Sequence, residues 1–208
     1  MIVYACSTNP GKLREFVLAG QESGLRELVL EPLPRLQTIP TPSEEGATFE
    51  ENAFTKAVYY SRFTRELTIA DDSGLEVAAL REAPGVYSAR YAGPNATDAA
   101  NNELLLRNLQ NVADRRARFV CVLALARAGH VLTTFRGVAE GRILNAPRGD
   151  CGFGYDPLFF YPPLNCTFAE LTLDEKFAVS HRGNAFRKLF AYLAELHHEN
   201  TAISDKIE

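Results

Sequence analysis

The chain has 208 residues, enough for one substantial domain, and its 46% hydrophobic and 23% charged residues can bury a core without disulfide or metal staples. The net charge of −4, with basic residues scattered along the chain, excludes the dense positive footprint of a protein that grips a nucleic-acid polymer. A small phosphate ligand stays compatible with it, because a few local donors can bind one within an acidic protein.

In chain order, Ile2 to Cys6 reads as a short buried strand, and the loop Ser7 to Lys12 follows at once. Leu13, Phe16 and Val17 then recur at helical spacing. Pro32, Pro34, Pro40 and Pro42 restrict the next stretch to an edge strand at most. Ser43 is placed to cap a helix running through Phe49, Ala53, Ala57 and Tyr60. Leu67 to Ala70 is a second short apolar run, ending in Asp71-Asp72-Ser73-Gly74. A loop punctuated by Pro84, Gly85, Gly93 and Pro94 leads to Thr97 or Asp98, either of which would cap a helix carrying Leu104, Leu105 and Leu109. Arg118 to Ala126 and Val131 to Val138 read as neighbouring strands joined tightly at Ala128-Gly129-His130. Residues Asn145 to Pro163 read as a loop, and a last helix begins near Gly183 with Phe186, Leu189, Phe190 and Leu193 on one face. A single domain over residues 1–200 and a polar, frayed tail over 201–208 complete the expectation.

Strands and helices alternate, and the hairpin adds antiparallel pairing. The expected fold is therefore α/β: a central mixed, twisted sheet flanked by helices, in two lobes with a substrate cleft between them. Cys6 and Cys121 fall in apolar runs and are expected to be buried, reduced and structural. Neither a signal peptide at Met1-Ile2-Val3-Tyr4 nor a membrane-spanning run is expected, which makes the cytoplasm the default.

Four segments can carry chemistry. Ser7-Thr8-Asn9-Pro10-Gly11-Lys12 sits between a strand and a helix, where unpaired N–H groups, hydroxyls and one lysine suit a phosphate; the same residues would also make an ordinary capped helix. Asp71-Asp72-Ser73-Gly74 offers oxygen ligands of the kind Mg²⁺ takes, or a plain acidic turn, and on an extended chain only one of the two acids should face the site. Gly152-Phe153-Gly154-Tyr155-Asp156-Pro157 offers close backbone approach and a stacking ring, or a loop pinned by its aromatics. Lys176 and Ser180-His181-Arg182-Gly183 offer cations to a phosphate or a base carbonyl, or a capped helix start.

Taken together these motifs, with Glu44 to Ala53 (E-E-G-A-T-F-E-E-N-A) and Ala83 to Gly93 (A-P-G-V-Y-S-A-R-Y-A-G), closely resemble the inosine-triphosphate pyrophosphatase family over nearly the whole chain. The resemblance implies Mg²⁺-dependent hydrolysis of non-standard purine nucleoside triphosphates, ITP, dITP and XTP, to the monophosphate and pyrophosphate, cleansing the nucleotide pool. It implies that Ser7, Thr8, Asn9, Pro10, Gly11 and Lys12 hold the triphosphate, that Glu44 and Asp72 hold the metal, and that Asp72 acts as general base or orients the water. Lys56 and Ser73 would shape the phosphate site; Phe153, Gly154, Tyr155 and Asp156 would form the base loop, with Phe153 the stacking ring. Lys176, His181 and Arg182 match the family's carboxyl-side contacts. A donor-only guanidinium at Arg182 would favour a 6-oxo purine over adenine, by ~10⁴ or more in a site built around that bond. Exclusion of guanine would need a pocket hostile to its 2-amino group. A homodimer is implied by the resemblance alone. The competing readings are a related pyrophosphatase for pyrimidine or modified-base triphosphates and a non-catalytic purine-nucleotide-binding module.

Overall fold

The computed structural model describes the backbone of residues 1–204 and the side chains of residues 1–196. Among these, seven strands form one sheet in the order β2-β1-β3-β4-β5-β6-β7. They are β1 (Ile2–Ala5), β2 (Val29–Pro32), β3 (Leu67–Val77), β4 (Arg116–Arg127), β5 (His130–Ile143), β6 (Phe159–Tyr161) and β7 (Cys166–Thr167). β1 pairs in parallel with β2 and β3, and every pairing from β3 to β7 is antiparallel, so the sheet is mixed as expected. The helices are α1 (Pro10–Glu22), α2 (Phe49–Tyr60), α3 (Asp98–Asn108), α4 (Leu173–Val179) and α5 (His181–Ser204).

The sheet is covered on both faces, and β4 shows why the sequence permits it. Arg116-Ala-Arg-Phe-Val-Cys-Val-Leu-Ala-Leu-Ala-Arg127 is apolar through its centre, and Ala117 and all residues from Phe119 to Ala126 are buried. On one face Ile69, Cys121, Leu123 and Leu125 pack with Phe16 and Ala19 of α1 and Phe186, Leu189 and Leu193 of α5. On the other, Ala70, Val120, Val122 and Ala124 pack with Phe49, Ala53, Ala57 and Tyr60 of α2. Farther along the first face, Leu75, Val77 and Phe119 form another apolar cluster with Leu105, Leu109, Phe159 and Phe168. Side chains alternate along a strand, so Ile69, Asp71, Ser73 and Leu75 share one face of β3. Two polar residues thus separate the two clusters on that face.

The helix start expected at Ser43 lies elsewhere. Thr48 caps α2, its hydroxyl accepting from Glu51 N–H at 3.1 Å while the Glu51 carboxylate accepts from Thr48 N–H at 3.3 Å. This reciprocal pair satisfies two helix-start donors, which Ser43 is too far upstream to do. α1 begins at Pro10, inside the span read as loop, and Val17 is 51% exposed, so the buried stripe runs through Gly11, Glu15, Phe16, Leu18 and Ala19. Asp71-Asp72-Ser73-Gly74 is not a turn: it lies within β3, paired with Leu123, Val122, Cys121 and Val120 of β4. The turn preference of Asp and Gly is overridden by pairing with a fully buried strand.

The loop between Pro84 and Pro94 contains the 3-10 segment Gly85–Arg90, and the span read as loop from Asn145 to Pro163 contains β6. Thr97 caps α3, Leu105 and Leu109 are buried, and Ala128 and Gly129 make the β4–β5 turn with positive φ, as the sequence suggested. α5 starts at His181 and continues through Ser204, past the point where the polar tail was expected; residues 205–208 lie outside the described residues. Cys6 and Cys121 are buried free thiols. Among the described residues no helix is long and apolar enough to cross a membrane.

Candidate active site

The topology places the site before any side chain is considered. From β1 the chain passes through α1 to β2 on one side of β1, then through α2 to β3 on its other side, with α1 and α2 on opposite faces. Ligand sites in open α/β sheets form at the carboxyl ends of strands where the order reverses in this way. Pairing of β1 with β3 ends at Ala5 opposite Ile69, with Cys6 N–H donating to Ile69 C=O at 2.8 Å. Beyond it, Asp71 to Gly74 front a crevice instead of a neighbouring strand. The cavity there measures about 260 Å³ and is lined by residues of the β1–α1 connection, both acids of β3, and the Phe153–Asp156 loop.

At one end Asn9 caps α1, its side-chain oxygen accepting from Lys12 N–H at 3.1 Å, and Pro10 follows at the first helical position. Ser7, Thr8, Asn9 and Lys12 line the cavity, whereas Pro10 and Gly11 do not. Gly11 has a different use. A Cβ there would come within 2.5 Å of the Phe153 ring, so the glycine is where the ring rests on the helix.

Asp71 and Asp72 point to opposite faces of β3, yet both line the cavity, which corrects the expectation that only one acid faces the site. The crevice opens on the strand's free edge and so meets both faces. Asp71 reaches Lys12 at 2.9 Å and Arg182 at 3.5 Å. Burial alone would raise its pKa, but Lys12 and Arg182 hold it well below the usual carboxylate range. Asp72 faces α2, where it accepts from Lys56 at 3.0 Å and from Asn52 at 3.2 Å. Burial pushes the Asp72 carboxyl above its usual value, with Lys56 acting in the opposite direction. The Lys56 ammonium also stands 3.5 Å from Glu44, so one lysine bridges the two carboxylates. Arg90 donates to the Glu44 carbonyl at 3.2 Å.

The other end is a buried ionic network. Lys176 lies 2.5 Å from Asp156 and 2.8 Å from Glu15. Arg182 pairs with Glu15 through Nη1 and with Ser73, at 2.7 Å, through Nη2. Its Nε–H is buried without a partner among the described residues. Phe153 carries Lys176 Nζ at 4.7 Å and the Arg182 guanidinium carbon at 5.9 Å from its ring centre. His181 stacks flat on Phe119 at 4.7 Å, and burial, with Arg182 and Lys176 adding to it, drives its pKa far below the ordinary imidazole value. Tyr155 donates from its hydroxyl to Ser88 C=O at 2.8 Å, which makes it an anchor of the loop.

Glu15 lies outside every motif, and Asn52 and Arg90, though inside the Glu44–Ala53 and Ala83–Gly93 motifs, were given no role by the sequence. The first two carried a usable signal: each is a polar residue on the buried stripe of an amphipathic helix, one turn from a lysine already singled out.

A sequence model of the Ham1 family matches residues 3–192. The chain belongs to the Ham1 family. A dITP/XTP pyrophosphatase of Syntrophobacter fumaroxidans is 53% identical over 188 residues, covering 90% of this chain and 80% of that protein. The structure of a HAM1 protein from Coxiella burnetii superposes with a TM-score of 0.83 at 42% identity, covering 94% of this chain and 99% of that one. A crystal structure of a nucleoside-triphosphatase, dITP/XTP pyrophosphatase, from Mycobacterium abscessus gives 0.69 at 41% identity, covering 91% and 97%. The Ham1 match spans every segment that lines the cavity.

Proposed function

We propose that the protein hydrolyses non-standard purine nucleoside triphosphates, ITP, dITP and XTP, to the nucleoside monophosphate and pyrophosphate with Mg²⁺, in the cytoplasm. Family membership and relatives named dITP/XTP pyrophosphatase support the reaction. The observation that carries it is that one cavity holds a helix start with Lys12, a carboxylate pair at Glu44 and Asp72, and an aromatic-cationic end at Phe153, Lys176 and Arg182. Triphosphate, metal and base each have a matching end.

In this reading the triphosphate lies along Ser7, Thr8, Asn9 and the first turn of α1, with Lys12, Lys56 and Ser73 beside it. Water attacks the α-phosphorus, the bond from that phosphorus to the bridging oxygen breaks, and pyrophosphate leaves. Asp72 accepts the proton of that water or orients it, and a carboxylate that also touches the metal serves chiefly to position the water. Among the described residues no three His, Cys, Asp or Glu side chains converge as a metal cage. Two carboxylates do converge on Lys56, and Mg²⁺ commonly binds through one or two carboxylates with phosphate oxygens and water completing its shell. The residues therefore fit Mg²⁺ bound together with substrate. When bound, the ion supplies charge against the phosphates and lowers the pKa of coordinated water.

The base loop, Phe153 to Asp156, brings the ring over the purine, while Lys176, His181 and Arg182 meet the base edge. Arg182 has five N–H donors, and Glu15, Asp71 and Ser73 engage three of them. A guanidinium donates only, which suits a 6-oxo group and does not suit the 6-amino group of adenine. Assembly as a homodimer belongs to the same proposal on the strength of the resemblance, and sedimentation measures it directly.

The deciding experiment is pyrophosphate release from ITP, XTP, dITP, ATP, GTP and dTTP, each with and without Mg²⁺. The expected result is metal-dependent release from the first three and little from the rest. Equal rates on all six, or orthophosphate as product, would overturn the proposal.

A further inference from the structure

The base loop is gripped from a helix that none of the site motifs includes. Gly154 is held at both of its polar backbone groups by side chains of α3: its N–H donates to Asp98 Oδ2 at 2.6 Å, and its C=O accepts from Asn102 Nδ2 at 2.9 Å. Asp98 and Asn102 are four residues apart and so lie one above the other on one face of the helix. Neither bond is spent on α3 itself, because Thr97 already supplies the cap by accepting from Ala100 N–H at 3.2 Å. The helix that provides the grip is itself tied down. Asn101, between the two, donates to Ala89 C=O at 3.2 Å and accepts from Ala92 N–H at 2.8 Å.

Gly154 adopts φ +62° with open space where a side chain would stand, so the neighbouring protein does not wedge the backbone in place. On the other side of Phe153 the loop is fixed by Asp156, which accepts from Phe153 N–H at 2.9 Å and pairs with Lys176. The backbone that carries the Phe153 ring is therefore held at its own N–H by an anchored acid and at the next residue by α3. We propose that Asp98 and Asn102 are positioning residues that fix the Gly154 peptide and thereby set where Phe153 stands over the base. This rests on the proposed function for the identity of the ligand, and on the geometry alone for the grip.

The protein has no tryptophan, so Phe153→Trp places a single fluorescent reporter in the loop. Acrylamide quenching of that reporter should rise at least about twofold when Asp98→Ala and Asn102→Ala are added, because both partners of Gly154 are lost. Asp98→Asn, which keeps an acceptor oxygen, should stay near the parent value. In the Phe153 background, Asp98→Ala/Asn102→Ala should raise KM for dITP by about tenfold, with kcat changed much less and preference for dITP over dATP reduced; Asp98→Asn should retain most of both. Unchanged quenching would overturn the positioning role, and so would equal losses on dITP and dATP that simply track a lower thermal midpoint. Absence of pyrophosphate release in the unaltered protein would instead remove the proposed function, and the quenching arm would still decide the grip.

Discussion

Glu15 and Arg182 form a buried ion pair across the base end of the cavity, the first on α1 and 2% exposed, the second at the start of α5 and 1% exposed. The same carboxylate lies 2.8 Å from Lys176. One acid therefore holds two cations whose mutual repulsion would otherwise push them apart. Glu15→Ala leaves both cations buried with less counter-charge, and breaking buried pairs from one side costs about 3–5 kcal/mol. Glu15→Gln keeps the shape and should cost less. Both should lose preference for 6-oxo over 6-amino purines, because the geometry of Arg182 relaxes. Urea unfolding together with the dITP/dATP ratio of kcat/KM checks this; an unchanged ratio in Glu15→Ala would show that Arg182 is held by Asp71 and Ser73 alone.

Gly11 should separate activity from stability. Its Cβ would meet the Phe153 ring at 2.5 Å, so a side chain there displaces the ring from its seat on α1 while the helix backbone is untouched. Alanine inside a helix is otherwise favoured over glycine by roughly 1 kcal/mol. Gly11→Ala is expected to raise KM for dITP by more than any change in the thermal midpoint accounts for, because the displaced ring serves the base and not the core. A fall in the midpoint with normal KM would mean that the ring has no need of that seat.

How far the sequence discloses such features follows from their length and environment. The presence of α2, α5 and the β4–β5 hairpin is legible because long periodic runs and a tight turn carry their own signal, whereas the helix ends depend on caps such as Thr48 that compete with neighbouring residues. β6 has three residues, β7 two and α4 seven, too few for a period to show. Asp71 to Gly74 read as a turn because local preference favours one, and only pairing with the buried β4 reverses that. Most site residues were legible as motifs. Of their partners, Glu15 and Asn52 left only the trace of a polar residue on a buried helical stripe, and Asp98 and Asn102 left none, since what they do depends on elements distant in the chain.

His181 gives a pH dependence with a definite sign. Burial beside Arg182 and Lys176 keeps the imidazole neutral in the folded protein, whereas in the unfolded chain it titrates near its ordinary pKa of about 6.5. Below that value the unfolded state binds the extra proton, so this residue's contribution to stability is full above about pH 6.5 and is lost as pH falls, by up to about 1.4 kcal/mol per pH unit. Urea midpoints of the unaltered protein and His181→Asn, measured from about pH 5 to 8, should converge at the acidic end relative to pH 8. Parallel curves would mean that the imidazole is protonated in place.

Asp72 and Glu44 share Lys56 yet should respond differently to loss of charge. Two donors, Lys56 at 3.0 Å and Asn52 at 3.2 Å, face the two oxygens of Asp72. An amide there must turn its NH₂ toward one of them, so Asp72→Asn is expected to lose turnover and also about 1–3 kcal/mol of stability. Glu44 is 30% exposed at its side chain and 3.5 Å from Lys56, too loose a contact to support the fold. Glu44→Gln should therefore unfold like the unaltered protein while needing at least about tenfold more Mg²⁺ for half-maximal pyrophosphate release. Titration of activity against Mg²⁺ separates the cases. A Glu44→Gln variant with an unshifted Mg²⁺ midpoint would remove Glu44 from the metal site and leave Asp72 as its only carboxylate from the pair.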